Sequence, residues 1–183
     1  KKLGAELMGK TCNIYLLGPD GRIIDCLRRI GLDAGAKRTA LPGMYYQEPE
    51  PVEKADPRGW ELQNYRDLLT QPGADLLCDR LMDSLGGLSP LVCREAALFA
   101  TGDVDARISD LSAGAAEKLD LFFRENLQHP MPCYYALFDG TPKQFAFCPI
   151  HQYGSYRRAG SFSELLDMYY TVRDQKDAMR QKS

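Results

Sequence analysis

Residues 85–95 read LGGLSPLVCRE and decide how the middle of the chain folds. Helix-forming runs flank the pair Gly86-Gly87, and glycine adopts a positive φ at no steric cost. Ser89 followed by Pro90 is typical of a helix N-cap and the first helical position. The stretch therefore predicts a helical hairpin whose second helix presents backbone N–H groups, an arrangement that suits phosphate. An ordinary helix–helix turn that binds no phosphate has the same local pattern, so this alternative stays open.

Helical periodicity extends outward from this hairpin over residues 60–128, and strand-like segments lie on both sides of it. Residues 1–57 contain runs rich in β-forming residues separated by turns, and residues 130–160 contain further strand patterns around a turn. We therefore predict an α+β fold in which residues 1–57 and 130–160 form one β-containing domain. The helices of residues 60–128 form a small subdomain that interrupts it.

The last segment, residues 161–183, has the pattern of a helix that leaves the globule. Ser161 and Glu164 form a capping box at its start. Apolar residues then recur every three or four positions, which predicts the start of a coiled coil. The chain begins at Lys1 without a methionine and stops inside this helical pattern, so we expect a fragment of a longer protein.

The bulk composition is that of an ordinary globular protein. The 183 residues are 44% hydrophobic and 26% charged, with a formal net charge of −2. Such a charge does not attract nucleic acid over the whole surface, so any RNA contact needs a local basic patch. We find no apolar run long enough for a membrane span and no secretory signal. We therefore expect a cytoplasmic protein that does not contact a membrane.

The sequence offers no recognisable catalytic or metal-binding set. Its six cysteines are scattered without a Cys-x-x-Cys pair and only two histidines are present, so the ligand spacing of a zinc site is absent. His129 adjoins prolines and His151 lies at a strand end without a companion, so neither indicates a nucleophilic triad. We predict that the protein is not an enzyme and has no catalytic residue, metal or cofactor.

Basic residues concentrate in two short stretches. The first contains Arg28, Arg29, Lys37 and Arg38. In the second, Arg157 and Arg158 lie in a predicted loop beside Tyr153 and Tyr156. Arginine interleaved with tyrosine suits contact with phosphates and unstacked bases. An ordinary solvated surface that binds no RNA has the same composition, so both interpretations stay open.

Several stretches of the sequence are similar to one known family. Residues 5–14 (AELMGKTCNI) and 38–46 (RTALPGMYY) resemble the N-terminal domain of the NFACT family, also called fibronectin-binding protein A-like in bacteria. Residues 87–95 (GLSPLVCRE) resemble its helix-hairpin-helix domain. Residues 161–170 (SFSELLDMYY) resemble the segment that leads into its long coiled coil. The resemblance covers nearly the whole chain in the right order.

The resemblance implies an RNA-binding adaptor of ribosome-associated quality control. Such an adaptor binds the large ribosomal subunit that carries a stalled peptidyl-tRNA, and it recruits charged tRNA for untemplated C-terminal tailing. Together with the patterns above, it leads to eleven candidate RNA-binding residues. They are Arg28, Arg29, Lys37, Arg38, Gly86, Gly87, Ser89, Pro90, Arg94, Arg157 and Arg158.

Two other functions stay open. The older family name implies a surface adhesin that binds fibronectin. The bacterial members also resemble a DNA glycosylase in fold, so a glycosylase-like enzyme is a third interpretation. That enzyme's N-terminal Pro-Glu and zinc finger are both missing from this sequence. The family's Asp-Arg pair, which is linked to tRNA binding, is expected upstream of Lys1.

Overall fold

The computed structural model describes residues 1–7, 12–31, 38–50, 53–128 and 131–180, with the side chains of the last helix described as far as residue 174. The described residues form a mixed α+β structure with two antiparallel sheets and five α-helices, which confirms the predicted fold class. The chain divides into two compact units, Lys1–Pro51 and Val52–Ser183.

The first unit is built on a three-stranded antiparallel meander. Its strands are β1 (Lys2–Glu6), β2 (Asn13–Leu17) and β3 (Ile23–Cys26), with β2 in the centre. Gly21 closes the turn between β2 and β3 with a φ of +81°, a conformation that glycine adopts without strain. The core of this unit is small. Its buried members are Tyr15, Ile23 and Ala40.

The second unit begins with four helices that pack on one another. They are α1 (Leu62–Thr70), α2 (Leu77–Ser84), α3 (Pro90–Thr101) and α4 (Ala115–Asn126). Helix α3 packs against both α2 and α4, and α1 packs against α4. The predicted glycine hairpin joins α2 to α3. Helix α3, which packs against two other helices, therefore begins directly after the hairpin.

A second antiparallel sheet follows the helices. It consists of β4 (Tyr134–Phe138), β5 (Thr141–Ala146) and β6 (Tyr156–Arg158), with β4 in the centre. Strand β6 contains Arg157 and Arg158, so the prediction that they lie in a loop is wrong. A strand of three polar or amphipathic residues carries too short a pattern for periodicity to reveal. Pairing with β4 defines it instead.

The second sheet and the helices share one hydrophobic core. The sequence predicts that the helices of residues 60–128 form a subdomain of their own, whereas in the structure the following sheet belongs to the same unit. The sheet and the helices each have an apolar face, and each covers the other. The predicted union of residues 1–57 with residues 130–160 stays a prediction. Strands β4 and β5 contribute Ala136 and Ala146 to the core, and the segment after β5 contributes Cys148 and Ile150.

The last helix, α5 (Phe162–Arg180), is anchored on the second sheet. The backbone N–H of Glu164 donates to the hydroxyl of Ser161 at 3.2 Å, which is one half of the predicted capping box. The ring of Tyr169 packs edge-on against Phe145 of β5, with 5.1 Å between ring centroids. Pairing as a coiled coil stays a prediction, and residues 181–183 lie outside the described residues. Neither α5 nor any other described helix is long and apolar enough to cross a membrane.

Candidate nucleic-acid interface

The hairpin between α2 and α3 has the local geometry that the sequence predicts. Gly87 has a φ of +73°, while the N–H of Gly86 donates to the carbonyl oxygen of Ala55 at 2.8 Å. Ser89 is the N-cap of α3, its hydroxyl accepting a backbone N–H of the first turn at 3.4 Å, and Pro90 is the first helical residue. The Gly86 N–H is engaged within the protein, so a phosphate would have to use the N–H groups after it. Membership of this hairpin in a helix-hairpin-helix domain stays a prediction.

Arg38, a candidate RNA ligand, belongs to a buried polar network of the first unit. The carboxylate of Glu6 accepts both Nη groups of Arg38 at 2.9 and 3.0 Å. It also accepts the hydroxyls of Tyr46 at 2.9 Å and Tyr15 at 3.4 Å. The hydrogen bonds from Arg38 hold the pKa of Glu6 below its ordinary value. Burial and the bond to Glu6 raise the pKa of Tyr46 to about 12. The carboxylate of Glu6 therefore neutralises the charge of Arg38, and the evident role of Arg38 is structural.

The other described cations of the first stretch lie on the surface. Arg29 is exposed and pairs with Asp25 at 3.4 Å. The side chain of Asn13 donates to the carbonyl of Arg28 at 2.8 Å and accepts its N–H at 2.9 Å. The exposed Arg28 side chain therefore extends from a fixed stretch of backbone. Lys37 lies outside the described residues.

The remaining candidates belong to the second unit. Arg94 on α3 pairs with Asp105 at 3.0 Å, and both side chains are exposed. Arg157 and Arg158 are consecutive in β6, and consecutive side chains of a strand point to opposite faces of the sheet. Of these two, Arg158 lines a cleft and Arg157 does not. The candidates are thus divided between the units, with Arg28, Arg29 and Arg38 in the first.

The cleft lies between α3, α4 and the second sheet, and we call it the α3–α4 cleft. Its volume is about 380 Å³. Phe99, Phe122 and Tyr134 supply aromatic surface, and Pro132 and Pro149 add further apolar surface. Its polar lining consists of Glu125, Asn126, Gln128, His151 and Arg158. The site was missed in the sequence because these residues come from α3, α4, β4, β6 and the segments that connect them.

One wall of the cleft rests on a buried carboxylate. Glu95 is 1% exposed and accepts the backbone N–H and the side-chain amide of Gln152 at 2.8 and 3.0 Å. It also lies 3.3 Å from Nδ1 of His151, whose Nε2 lies 3.3 Å from the hydroxyl of Tyr156. These contacts favour the tautomer with the proton on Nδ1, because Nε2 can then accept from the tyrosine.

The expectation that His151 has no companion is therefore wrong. Its partner Glu95 is 56 residues away in sequence, and the packing of α3 against the turn His151–Tyr153 brings the two together. The signal that the sequence did contain is a glutamate on the apolar face of α3, since a buried carboxylate requires a partner. The other histidine, His129, lies outside the described residues.

The cysteines and the possible metal ligands of the structure bear on whether it holds a reactive site. Burial raises the pKa of the Cys93 and Cys148 thiols to about 12, so both stay protonated and are poor nucleophiles at neutral pH. All six cysteines are free. Within the described ranges, no three Asp, Glu, His or Cys side chains come together as a metal site.

The model of one protein family, described as NFACT N-terminal and middle domains, matches residues 1–183, which is the whole chain. The chain belongs to the NFACT family. This NFACT chain is 29% identical over 191 residues to Rqc2 homolog RqcH of Bacillus subtilis (strain 168). The match covers 100% of the chain and 31% of RqcH, so the NFACT chain spans about a third of the length of this curated relative. The predicted family is confirmed.

Two solved structures have folds similar to that of the NFACT chain. The N-terminal part of the fibronectin/fibrinogen-binding protein from Streptococcus suis has a TM-score of 0.59 at 24% identity, covering 93% of this chain and 56% of that one. The fibrinogen binding protein from Staphylococcus aureus has a TM-score of 0.58 at 22% identity, covering 92% of this chain and 58% of that one. These likenesses support the α+β fold of the NFACT chain.

Proposed function

We propose that the chain is part of an RNA-binding adaptor of ribosome-associated quality control. The observation that carries the proposal is the family match over all residues 1–183. Similarity to a protein named Rqc2 homolog supports it. In this role the protein binds the large ribosomal subunit and tRNA for untemplated C-terminal tailing. It acts in the cytoplasm as a binding protein and not as an enzyme.

Contact with the RNA backbone comes from exposed cations and from the hairpin. The net charge of −2 gives no general attraction, so affinity depends on local arginines. Arg28 and Arg29 in the first unit and Arg157 and Arg158 in the second have exposed side chains. Arg38 supports this surface from within, through its bond to Glu6, and does not itself hold phosphate.

The proposal is tested by co-sedimentation of the full-length gene product with purified large subunits that carry peptidyl-tRNA, across a salt series. We expect binding that weakens with salt, because each phosphate contact releases a counterion. Replacing Arg29 by alanine flattens the log–log salt slope by about one unit. An absence of sedimentation with the subunits at low salt overturns the adaptor proposal.

Arg124→Ala is the matched control for Arg29→Ala. Both arginines pair with an aspartate four residues earlier, and their side chains are 68% and 65% exposed, respectively. We expect the Arg124 variant to keep the salt slope of the unsubstituted protein. Equal salt slopes for the two variants would show that Arg29 does not contact the RNA. Retention of the same protein on immobilised fibronectin, without binding to subunits, would instead favour the adhesin.

A further inference from the structure

The α3–α4 cleft exposes an aromatic ring that the core does not cover. Phe99 is 43% exposed, although it lies on α3, whose other large apolar side chains are mostly buried. Its ring lies 5.6 Å from that of the buried Phe122, with an interplanar angle of 51°. The ring of Phe99 is thus in contact with a core residue and also lines the cleft. A supported, partly exposed ring is a surface on which a flat ligand stacks.

A cation without an acidic partner lines the same cleft. Seven described arginines form ion pairs with Asp or Glu, as the separate pairs show. No carboxylate in the described ranges pairs with Arg158, which lies opposite Tyr134 in the β4–β6 ladder. Glu125 also lines the cleft, but it forms no ion pair with Arg158. A guanidinium in this setting favours phosphate, which it binds with two parallel N–H groups.

We propose that the α3–α4 cleft binds one unstacked nucleotide of single-stranded RNA. The base stacks on Phe99, its polar edge faces the amides of Asn126 and Gln128, and its phosphate contacts Arg158. This inference rests on the proposed RNA-binding function and adds a site and a form of RNA to it. The volume of about 380 Å³ suits a small ligand and excludes a duplex, in which no base face is open.

The walls of the cleft are fixed before any ligand binds. Glu95 holds the backbone of Gln152 and the ring of His151, which forms part of the lining. On the opposite element, the side-chain amide of Asn126 donates to the carbonyl of Phe122 at 2.8 Å. Because these groups are already ordered, binding costs little additional conformational entropy.

The test uses a single-stranded RNA hexamer that carries 2-aminopurine, whose fluorescence falls when the base stacks. We expect the full-length gene product to quench this fluorescence. Phe99→Leu keeps an apolar contact with Phe122 but removes the flat ring, so it should abolish the quenching and weaken binding about tenfold. Arg158→Ala should flatten the log–log salt slope by about 0.7, the value for one phosphate of a single strand.

Two control variants match these substitutions closely. Phe138 is also 43% exposed but lies outside the cleft. Arg124 on α4 is an exposed arginine that likewise lies outside it. We expect Phe138→Leu to keep the quenching and Arg124→Ala to keep the salt slope. Quenching that survives in Phe99→Leu overturns the proposal. Equal slopes for Arg124→Ala and Arg158→Ala overturn it too.

The two proposals fail in different ways. If the protein sediments with large subunits but does not quench the hexamer, the cleft proposal is wrong and the adaptor proposal stands. If it binds neither subunits nor hexamer, both are wrong. Circular dichroism and thermal melting of every variant identify any loss of binding that results from unfolding.

Discussion

Glu6 accepts hydrogen bonds from Arg38, Tyr46 and Tyr15 within the first unit. Glu6 is only 7% exposed, so these donors replace water. The partner Arg38 is 32 residues away in sequence, and its side chain is 27% exposed. The sequence indicated a basic residue but not its acceptor, because a long-range ion pair leaves no periodic pattern. This is why a structural arginine resembled a ligand for RNA.

Glu6→Gln should destabilise the first unit by about 1–3 kcal/mol, because it leaves Arg38 without its counter-charge. The folded-state pKa of Glu6 lies below the ordinary 4.5, chiefly through the bonds from Arg38. Its contribution is therefore fully present above pH 4.5 and is lost as the pH falls through the folded-state value. Urea unfolding followed by circular dichroism at pH 7 and at pH about 3.5 should show a smaller acid loss in the variant than in the unsubstituted protein.

Asp25→Asn provides the control, since the pair that Asp25 forms with Arg29 is exposed on both sides. Exposed pairs contribute about 0–1 kcal/mol, so this variant should unfold close to the unsubstituted protein at both pH values. An Asp25 effect as large as that of Glu6 would contradict the special role of the buried network.

At the scale of elements, the two hairpin glycines have different roles. Gly87 has a φ of +73°, a conformation that a Cβ makes unfavourable. A Cβ built on Gly86 would meet Lys54 Cβ at 3.5 Å, which is an ordinary contact. The sequence predicted this hairpin well because Ser89, Pro90 and the glycine pair are local signals. It missed β6, whose existence depends on pairing with β4 and not on its own residues.

Gly87→Ala should destabilise the second unit by about 1–2 kcal/mol, and Gly86→Ala should change its stability by less than about 0.5 kcal/mol. The measurement is urea unfolding followed by the fluorescence of Trp60, the single tryptophan. Trp60 packs edge-on against Tyr65 at 5.1 Å, so it reports the core of this unit. Equal effects of the two substitutions would show that the turn does not hold the observed φ in solution.

At the scale of the whole molecule, the two units differ greatly in their cores. The buried apolar cluster of the first unit contains Tyr15, Ile23 and Ala40, whereas that of the second extends over four helices and a sheet. Periodicity predicted most of these helices and strands. It did not predict which of them share a core, because Ala136 and Ala146 are ordinary strand residues until the helices cover them. The α3–α4 cleft was hidden for the same reason.

The first unit should unfold at a lower urea concentration than the second. A segment of about 50 residues with a small core is only marginally stable, while a unit of more than twice that length buries a larger fraction of its surface. Far-ultraviolet circular dichroism should therefore begin to change before the fluorescence of Trp60 does. Coincident transitions by the two probes would instead show that the units unfold as one cooperative structure.

Strand β6 is an outer strand of the second sheet, and it is both short and cationic. It has three residues, two of which are Arg157 and Arg158. An outer strand offers unpaired backbone groups to any other chain, and proteins limit self-association by keeping such strands short and charged. The short length of β6 and its two arginines therefore fit a strand that is protected against self-association. Large apolar residues at these positions would open the sheet to another copy of itself, whatever the arginines contribute to RNA.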